Sequence, residues 1–190
     1  MRIIRTARLR LVPVTSANAA MLWEVLQGPE LRDYQDLPDV NRAQFLRIVG
    51  ARPTRLGAGS AGRFEWLVHY ASGNEALGWV SLRISEGSRF AAEIGYSVVH
   101  AHRGRGIATE AVGALVEEGF RRARLREIRA FCLPENRASR AVLRNLGFVD
   151  EGVLERGASV GGKTVDIILH SLEQTRWAES FTPNQAATQS

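Results

Sequence analysis

A turn of arginine and glycine, Arg103-Gly104-Arg105-Gly106-Ile107-Ala108, has the residue types best suited to holding an anion. Glycine has no Cβ, so the main chain can come close to a ligand. The surrounding stretch, FAAEIGYSVVHAHRGRGIATEAV from Phe90 to Val112, reads as strand, turn and the opening of a helix. N–H groups in a helix's first turn have no partner inside the helix, and an anion can supply one. Arg103 and Arg105 add charge-assisted hydrogen bonds. A phosphate is the expected occupant. The turn has no Lys-Ser/Thr ending, which argues against a nucleoside-triphosphate loop.

Composition gives other chemistries little support. The 190 residues include one cysteine, Cys132, which excludes an internal disulfide and a cysteine-based zinc site. His69, His100, His102 and His170 lack metal-ligand spacing, so no metal is expected. Cys132 ends a buried-looking strand with no evident local His and reads as a structural thiol. The net charge of +5, from 25 Lys+Arg against 20 Asp+Glu, mildly favours anionic partners. The arginines between Arg103 and Arg144 are not interleaved with aromatics, and no recognition helix stands out, so nucleic acid is not expected. No apolar run approaches a membrane span. The basic start, MRIIRTARLRLVPV, lacks the apolar core of a signal peptide. A cytoplasmic protein is the expectation.

The elements that must position the turn can be read along the chain. Leu9 to Val14 alternates as a first strand. Ser16 is the expected cap of a helix over 17–27, with Met21, Leu22, Val25 and Leu26 on its apolar face. Residues 30–38, ELRDYQDLP, have no clear period and could line a substrate mouth. Asp39 is the expected cap of a second helix through Phe45, Leu46 and Val49, and 53–62 reads as a surface loop. Three strands, 64–70, 76–84 and 91–98, joined by short turns, predict an antiparallel meander. The pattern then alternates: helix 107–122, strand 128–133, a short helix capped by Asn136 and stopped at Gly147, and two last strands at 148–154 and 165–172. The sum is an α+β (mixed α/β) fold: a mixed, mostly antiparallel sheet of about seven strands flanked by about four helices. Residues 1–177 read as a single domain, and 178–190 as a polar, frayed tail.

In this order the motifs resemble the GNAT superfamily of acetyl-CoA-dependent N-acetyltransferases. The narrower likeness is to the branch holding the Rim-type ribosomal-protein N-terminal acetyltransferases. Four stretches carry it: TARLRLVPVT from Thr6; EIGYSV followed by HRGRGIATEAV; ENRASRAVLRNLGFVDEGVL from Glu135; and VDIILHSL before Trp177. The resemblance implies a sheet splayed at its centre and the pyrophosphate of acetyl-CoA as the anion. Backbone N–H groups of Arg105, Gly106, Ile107 and Ala108 would cradle it, with Val98, Arg103 and Thr109 beside them. Asn136 falls where the family places a cofactor-contacting Asn, and it can equally be a plain N-cap. Arg137, Arg140 or Arg144 could meet the ribose phosphate, with Arg140 the candidate cofactor contact.

The implied chemistry is direct attack of a neutral amine on the thioester, with positioning and electrostatics supplying most of the acceleration. Glu93 is the candidate base, on the strand feeding the turn and with the parity of Gly95 and Ser97. Pairing with an Arg on a solvated sheet face is its other reading. Many members carry a Tyr seven residues after the Asn; here that position is Leu143. In the Rim-like branch a Ser three residues after the Asn can take its place, here Ser139, which could also simply bond the helix backbone. Tyr34, Asp36 and Asp166 are the candidate acceptor contacts, while Trp66 and Trp79 read as core. The acceptor would be a peptide N-terminus or a small amine, with a homodimer left open. The alternative is a non-catalytic CoA-binding or sensing domain.

Overall fold

The computed structural model describes residues 1–28, 40–88 and 90–180. Eight strands form one sheet in the order β1-β2-β3-β4-β5-β6-β8-β7. They are β1 (Ile4–Arg5), β2 (Leu9–Pro13), β3 (Gly62–Tyr70), β4 (Gly78–Ile84), β5 (Ala91–Val98), β6 (Glu127–Cys132), β7 (Val149–Val160) and β8 (Lys163–Glu173). Five helices occur among the described residues: α1 (Ala19–Leu26), α2 (Arg42–Gly50), α3 (Ile107–Arg121), α4 (Arg137–Asn145) and α5 (Gln174–Glu179). The extra strand relative to the sequence expectation is β1, a two-residue pairing with β2. The extra helix is α5, which carries Trp177.

The two sheet faces bury separate sets of residues, because alternate strand residues point to opposite sides. On one face Trp66, Val68, Val80, Leu82 and Ile94 pack against the apolar stripe of α3, through Ile107, Ala111, Leu115 and Phe120. On the other, Leu67 and Trp79, opposite each other in the β3–β4 register, pack against Leu22 and Leu26 of α1 and Phe45 and Val49 of α2. Trp66 and Trp79 are both core residues, as expected.

Four local expectations are corrected. Asn18, not Ser16, precedes α1; its side chain accepts from the Thr15 N–H at 2.8 Å and donates to the Pro13 carbonyl at 3.0 Å, so it fixes the turn out of β2. Met21 is exposed, while Ala19, Leu22 and Leu26 form the buried stripe. Asn41 caps α2 through a reciprocal capping box with Gln44, both hydrogen bonds at 2.9 Å; Asp39 itself lies outside the described residues. β7 and β8 also run further than expected, as a long hairpin with register shifts between Asp150 and Gly152 and between Leu154 and Ala158.

The feature that matters for function is the junction of β5 and β6. Among the described residues it is the one parallel pairing, and it covers only Ala91, Ala92 and Glu93 against Glu127, Ile128 and Arg129. Beyond it β5 continues paired to β4 alone, and β6 continues paired to β8 alone. The sheet opens there. α3 crosses between the two strands as a parallel pair requires.

Candidate active site

The opening between β5 and β6 leads into a cavity of about 390 Å³. Its walls are the end of β5, the 100–106 turn, the first turn of α3, and α4. The turn takes its shape from its glycines: Gly104 and Gly106 both have φ of +74°, a conformation that L side chains rarely adopt. Gly106 is the N-cap of α3 and offers no side chain to the first-turn N–H groups. Those donors, at the positive end of a fifteen-residue helix, fit an anion.

Of the residues expected to hold the cofactor, Val98, Arg103, Gly106, Ile107, Ala108, Thr109 and Asn136 line this cavity. The Arg103 Nε donates to the Val98 carbonyl at 2.9 Å, closing the end of β5 onto the turn. Asn136 caps α4, accepting from the Ser139 N–H at 3.0 Å. Its cap role is thus met, and its residue still faces the cavity.

Two of the expected cofactor residues are placed otherwise. The side chain of Arg105 is absent from the lining; its carbonyl accepts from the Arg8 Nη1 at 3.0 Å. Arg140 turns away from the cavity: its Nη2 lies 3.6 Å from an Asp150 carboxylate oxygen, and its Nη1 donates to the Pro134 carbonyl at 3.4 Å.

A brace outside the turn was not expected from the sequence. The Glu110 carboxylate accepts from the Thr6 hydroxyl at 2.6 Å, from the Arg8 N–H at 3.0 Å and from the Arg8 Nε at 2.6 Å. Burial pushes the Glu110 carboxyl up, but these hydrogen bonds and the Arg8 charge outweigh it and hold its pKa below the usual range. The chain just before β2 is thereby tied to the first turn of α3.

Glu93 does not line the cavity. It is the last β5 residue paired to β6, at the apex of the opening, and lies opposite Arg129. A Cβ on Gly95 would point at Ser81 and the Trp79 ring. Glu93, of the same parity, therefore stands on the α1–α2 face, across the sheet from α3. Its carboxylate is bound by Arg83.

Ser139 does line the cavity, and it meets a residue that was missed, Tyr96 of β5. The Tyr96 hydroxyl lies 2.7 Å from the Ser139 Oγ and 3.2 Å from the Ser139 carbonyl. Burial, ahead of every other effect, raises the Tyr96 pKa and keeps the phenol neutral. His102 was also missed; its Nε2 lies 3.2 Å from Glu75, and its buried Nδ1 has no hydrogen-bond partner among the described residues.

Tyr34 and Asp36 lie outside the described residues. Asp166 accepts from the Arg156 N–H at 2.8 Å, where Arg156 bulges out of β7 with φ of +54°. That contact fastens the β7–β8 hairpin. Cys132 is buried and off the cavity, with His170 as the neighbour that sequence order concealed, 3.9 Å from its sulfur. No group of His, Cys, Asp and Glu among the described residues could hold a metal. No helix among them is long and apolar enough to cross a membrane.

Residues 8–149 match the acetyltransferase (GNAT) domain family. The chain is 29% identical over 182 residues to the uncharacterized N-acetyltransferase p20 of Bacillus licheniformis, spanning 94% of this chain and 99% of that one. Its fold superposes on the ribosomal-protein-S5-alanine acetyltransferase of Vibrio fischeri with a TM-score of 0.77 at 23% identity, covering 93% and 99% of the two chains. It also superposes on RimL, a ribosomal alpha-N-protein acetyltransferase in complex with coenzyme A, with a TM-score of 0.76 at 22% identity, covering 90% and 98%. The family match covers most of the chain and contains both lips of the opened sheet, so this protein belongs to the GNAT acetyltransferases.

Proposed function

We propose that the protein transfers the acetyl group of acetyl-CoA to a primary amine by direct attack within a ternary complex. The observation that carries this is the opening of the sheet after Glu93, with a glycine-built helix N-terminus on one lip and α4 on the other. The donor side fits the cofactor. The αL glycines leave the α3 N–H groups accessible to the pyrophosphate, and no atom lies within 4 Å of where a Gly104 Cβ would sit. Past Glu93 the β5 edge facing β6 has no ladder partner among the described residues, and an extended pantetheine arm can pair with such an edge.

On the acceptor side, Glu93 takes the proton of the incoming amine, directly or through water. Its position at the apex, on the face away from α3, lets donor and base approach the opening from opposite sides. Ser139, inside the cavity, stands ready to donate to the departing sulfur. The acceptor is a peptide α-amine, which the Rim-type structural neighbours support, and the reaction takes place in the cytoplasm.

The test is CoA release from acetyl-CoA over a panel of peptides and small amines, comparing wild type with Glu93→Gln. Turnover on at least one amine that falls sharply in the variant is the expected result. No CoA binding at millimolar concentration sinks the proposal. Binding without turnover on any amine replaces it with a CoA-sensing role, which the Leu143 at the usual Tyr position would suit.

A further inference from the structure

Three facts about α4 and β5 point to one device. First, the side chain seven residues after Asn136 is Leu143, wholly buried in the core, so α4 brings no phenol to the cavity. Second, a phenol reaches the cavity from the opposite lip: Tyr96 of β5 has its hydroxyl 2.7 Å from the Ser139 Oγ. Third, the Ser139 N–H is already committed to the Asn136 side chain, so only the Ser139 hydroxyl is free to respond to a ligand.

The hydrogens of this pair have two arrangements. In one, Tyr96 donates to the Ser139 carbonyl at 3.2 Å and the Ser139 hydroxyl donates back to the phenol oxygen. In the other, Tyr96 donates to the Ser139 Oγ, and the Ser139 proton points into the cavity. A hydroxyl has one proton and two lone pairs, so both arrangements satisfy the same atoms. An anion arriving in the cavity selects the second. A charged acceptor makes the stronger hydrogen bond, and a chain of hydroxyls is polarised along its length.

We propose that Tyr96 is a positioning residue: it orients and polarises the Ser139 hydroxyl so that Ser139 donates to the sulfur anion released in acetyl transfer. The inference rests on the acetyl-transfer reading above. In the step itself the amine nitrogen forms a bond to the acetyl carbon and the carbon–sulfur bond breaks. The electron pair stays on sulfur, and the amine proton leaves through the base. Neither Tyr96 nor Ser139 forms a covalent bond. The thiolate is held by the Ser139 O–H until it is released, and solvent supplies its proton. The neutral phenol suits this work, because it gives a hydrogen bond without giving up its proton.

The experiment compares wild type, Tyr96→Phe, Ser139→Ala, Ser139→Thr and the Tyr96→Phe/Ser139→Ala double variant, each checked for an unchanged melting temperature. Ultraviolet absorbance of bound CoA follows the titration of its thiol, and steady-state kinetics follow acetyl transfer. In wild type the bound thiol should ionise at lower pH than in Tyr96→Phe. The phenylalanine variant should lose about tenfold in kcat with little change in the acetyl-CoA KM, as the loss of one hydrogen bond to a developing charge implies. The double variant should be no worse than Ser139→Ala, and Ser139→Thr should retain most of the activity.

An unshifted thiol titration in Tyr96→Phe overturns the proposal, as do additive losses in the double variant. Wild type that fails to bind CoA overturns the acetyl-transfer reading itself. Wild type that binds CoA but acetylates no amine overturns that reading while the thiol titration still decides the role of Tyr96. If Tyr96→Phe unfolds, Ser139→Ala carries the test alone, and a thiol titration identical to wild type rejects the pair.

Discussion

The Arg8 guanidinium bridges the first turn of α3 and the Gly104–Gly106 turn: its Nε donates to Glu110 at 2.6 Å and its Nη1 donates to the Arg105 carbonyl at 3.0 Å. The carbonyl of Arg105 is thus held on the outside of the turn, away from the cavity, at a bend shaped by two αL glycines. Arg8 is half-exposed, so its ion pair alone is worth little to stability. Its value lies in fixing the geometry of the turn at the cavity wall. Arg8→Ala is expected to raise the acetyl-CoA KM about tenfold, the scale of one charge-assisted hydrogen bond, with a smaller effect on kcat. Glu110→Gln should follow the same pattern. Calorimetric titration with CoA checks both, and affinity equal to wild type would show that the turn holds its shape unaided.

Glu93 predicts a different kinetic signature. General-base catalysis contributes roughly a hundredfold to ten-thousandfold. Glu93→Gln should therefore lower kcat on this scale while leaving the acetyl-CoA KM unchanged, since Glu93 lies off the cavity. Arg83→Ala removes the partner of the carboxylate and should lower kcat less than Glu93→Gln does. A Glu93→Gln variant with a normal pH–rate profile would assign the proton to a water chain.

Gly78 predicts a stability effect. A Cβ placed there would lie 2.1 Å from the Ser97 carbonyl oxygen and 2.9 Å from the Val98 Cα, both backbone atoms. The end of β5 would have to move, and with it Val98, which lines the cavity. Gly78→Ala should cost about 1–3 kcal/mol, as overpacking does, and should weaken CoA binding as well. Urea denaturation and CoA titration measure the two effects. Normal values of both would mean that β4 can shift without moving β5.

Histidine burial sets a pH dependence of stability. Burial lowers the His170 pKa below 6.5, outweighing the raising influence of Asp150; His69 is lowered in the same way. Between the folded value and the unfolded value of 6.5 the unfolded chain holds more protons, so stability rises with pH across that window. Unfolding free energy should therefore be level above about pH 7 and fall as the solution is acidified through 6.5. His170→Gln should flatten part of that fall. Cys132, its neighbour, is pushed up to about 11 by burial. Its thiol should resist alkylation at pH 8 in the folded protein and react on unfolding.

How much of this was legible in the sequence differs by element. Both lips of the cavity were, because their signals are local. Gly104 and Gly106 mark a turn that requires positive φ, Asn136 is an N-cap followed by a helical run, and Gly147 ends it. The β5 boundaries followed from alternation between two turns. What escaped were contacts between parts distant in sequence. Arg8 and Glu110 are 102 residues apart, and Cys132 and His170 are 38 apart, so no spacing rule links them. Arg140 was assigned by helix position, but a helix surface offers several directions, and Asp150 on β7 decided between them. Tyr96 was the recoverable omission. It has the core-facing parity of Ala92, Ile94 and Val98, and a phenol on that side needs a polar partner near the turn.

The cavity lining runs from Tyr96 to Asn145 without drawing on α1 or α2. That has a modular consequence. Both lips, and the crossover that joins them, lie within one uninterrupted length of chain, braced from outside it by Thr6 and Arg8. Because α1 and α2 contribute no lining residue, substitutions on their surfaces leave the cavity's own side chains in place.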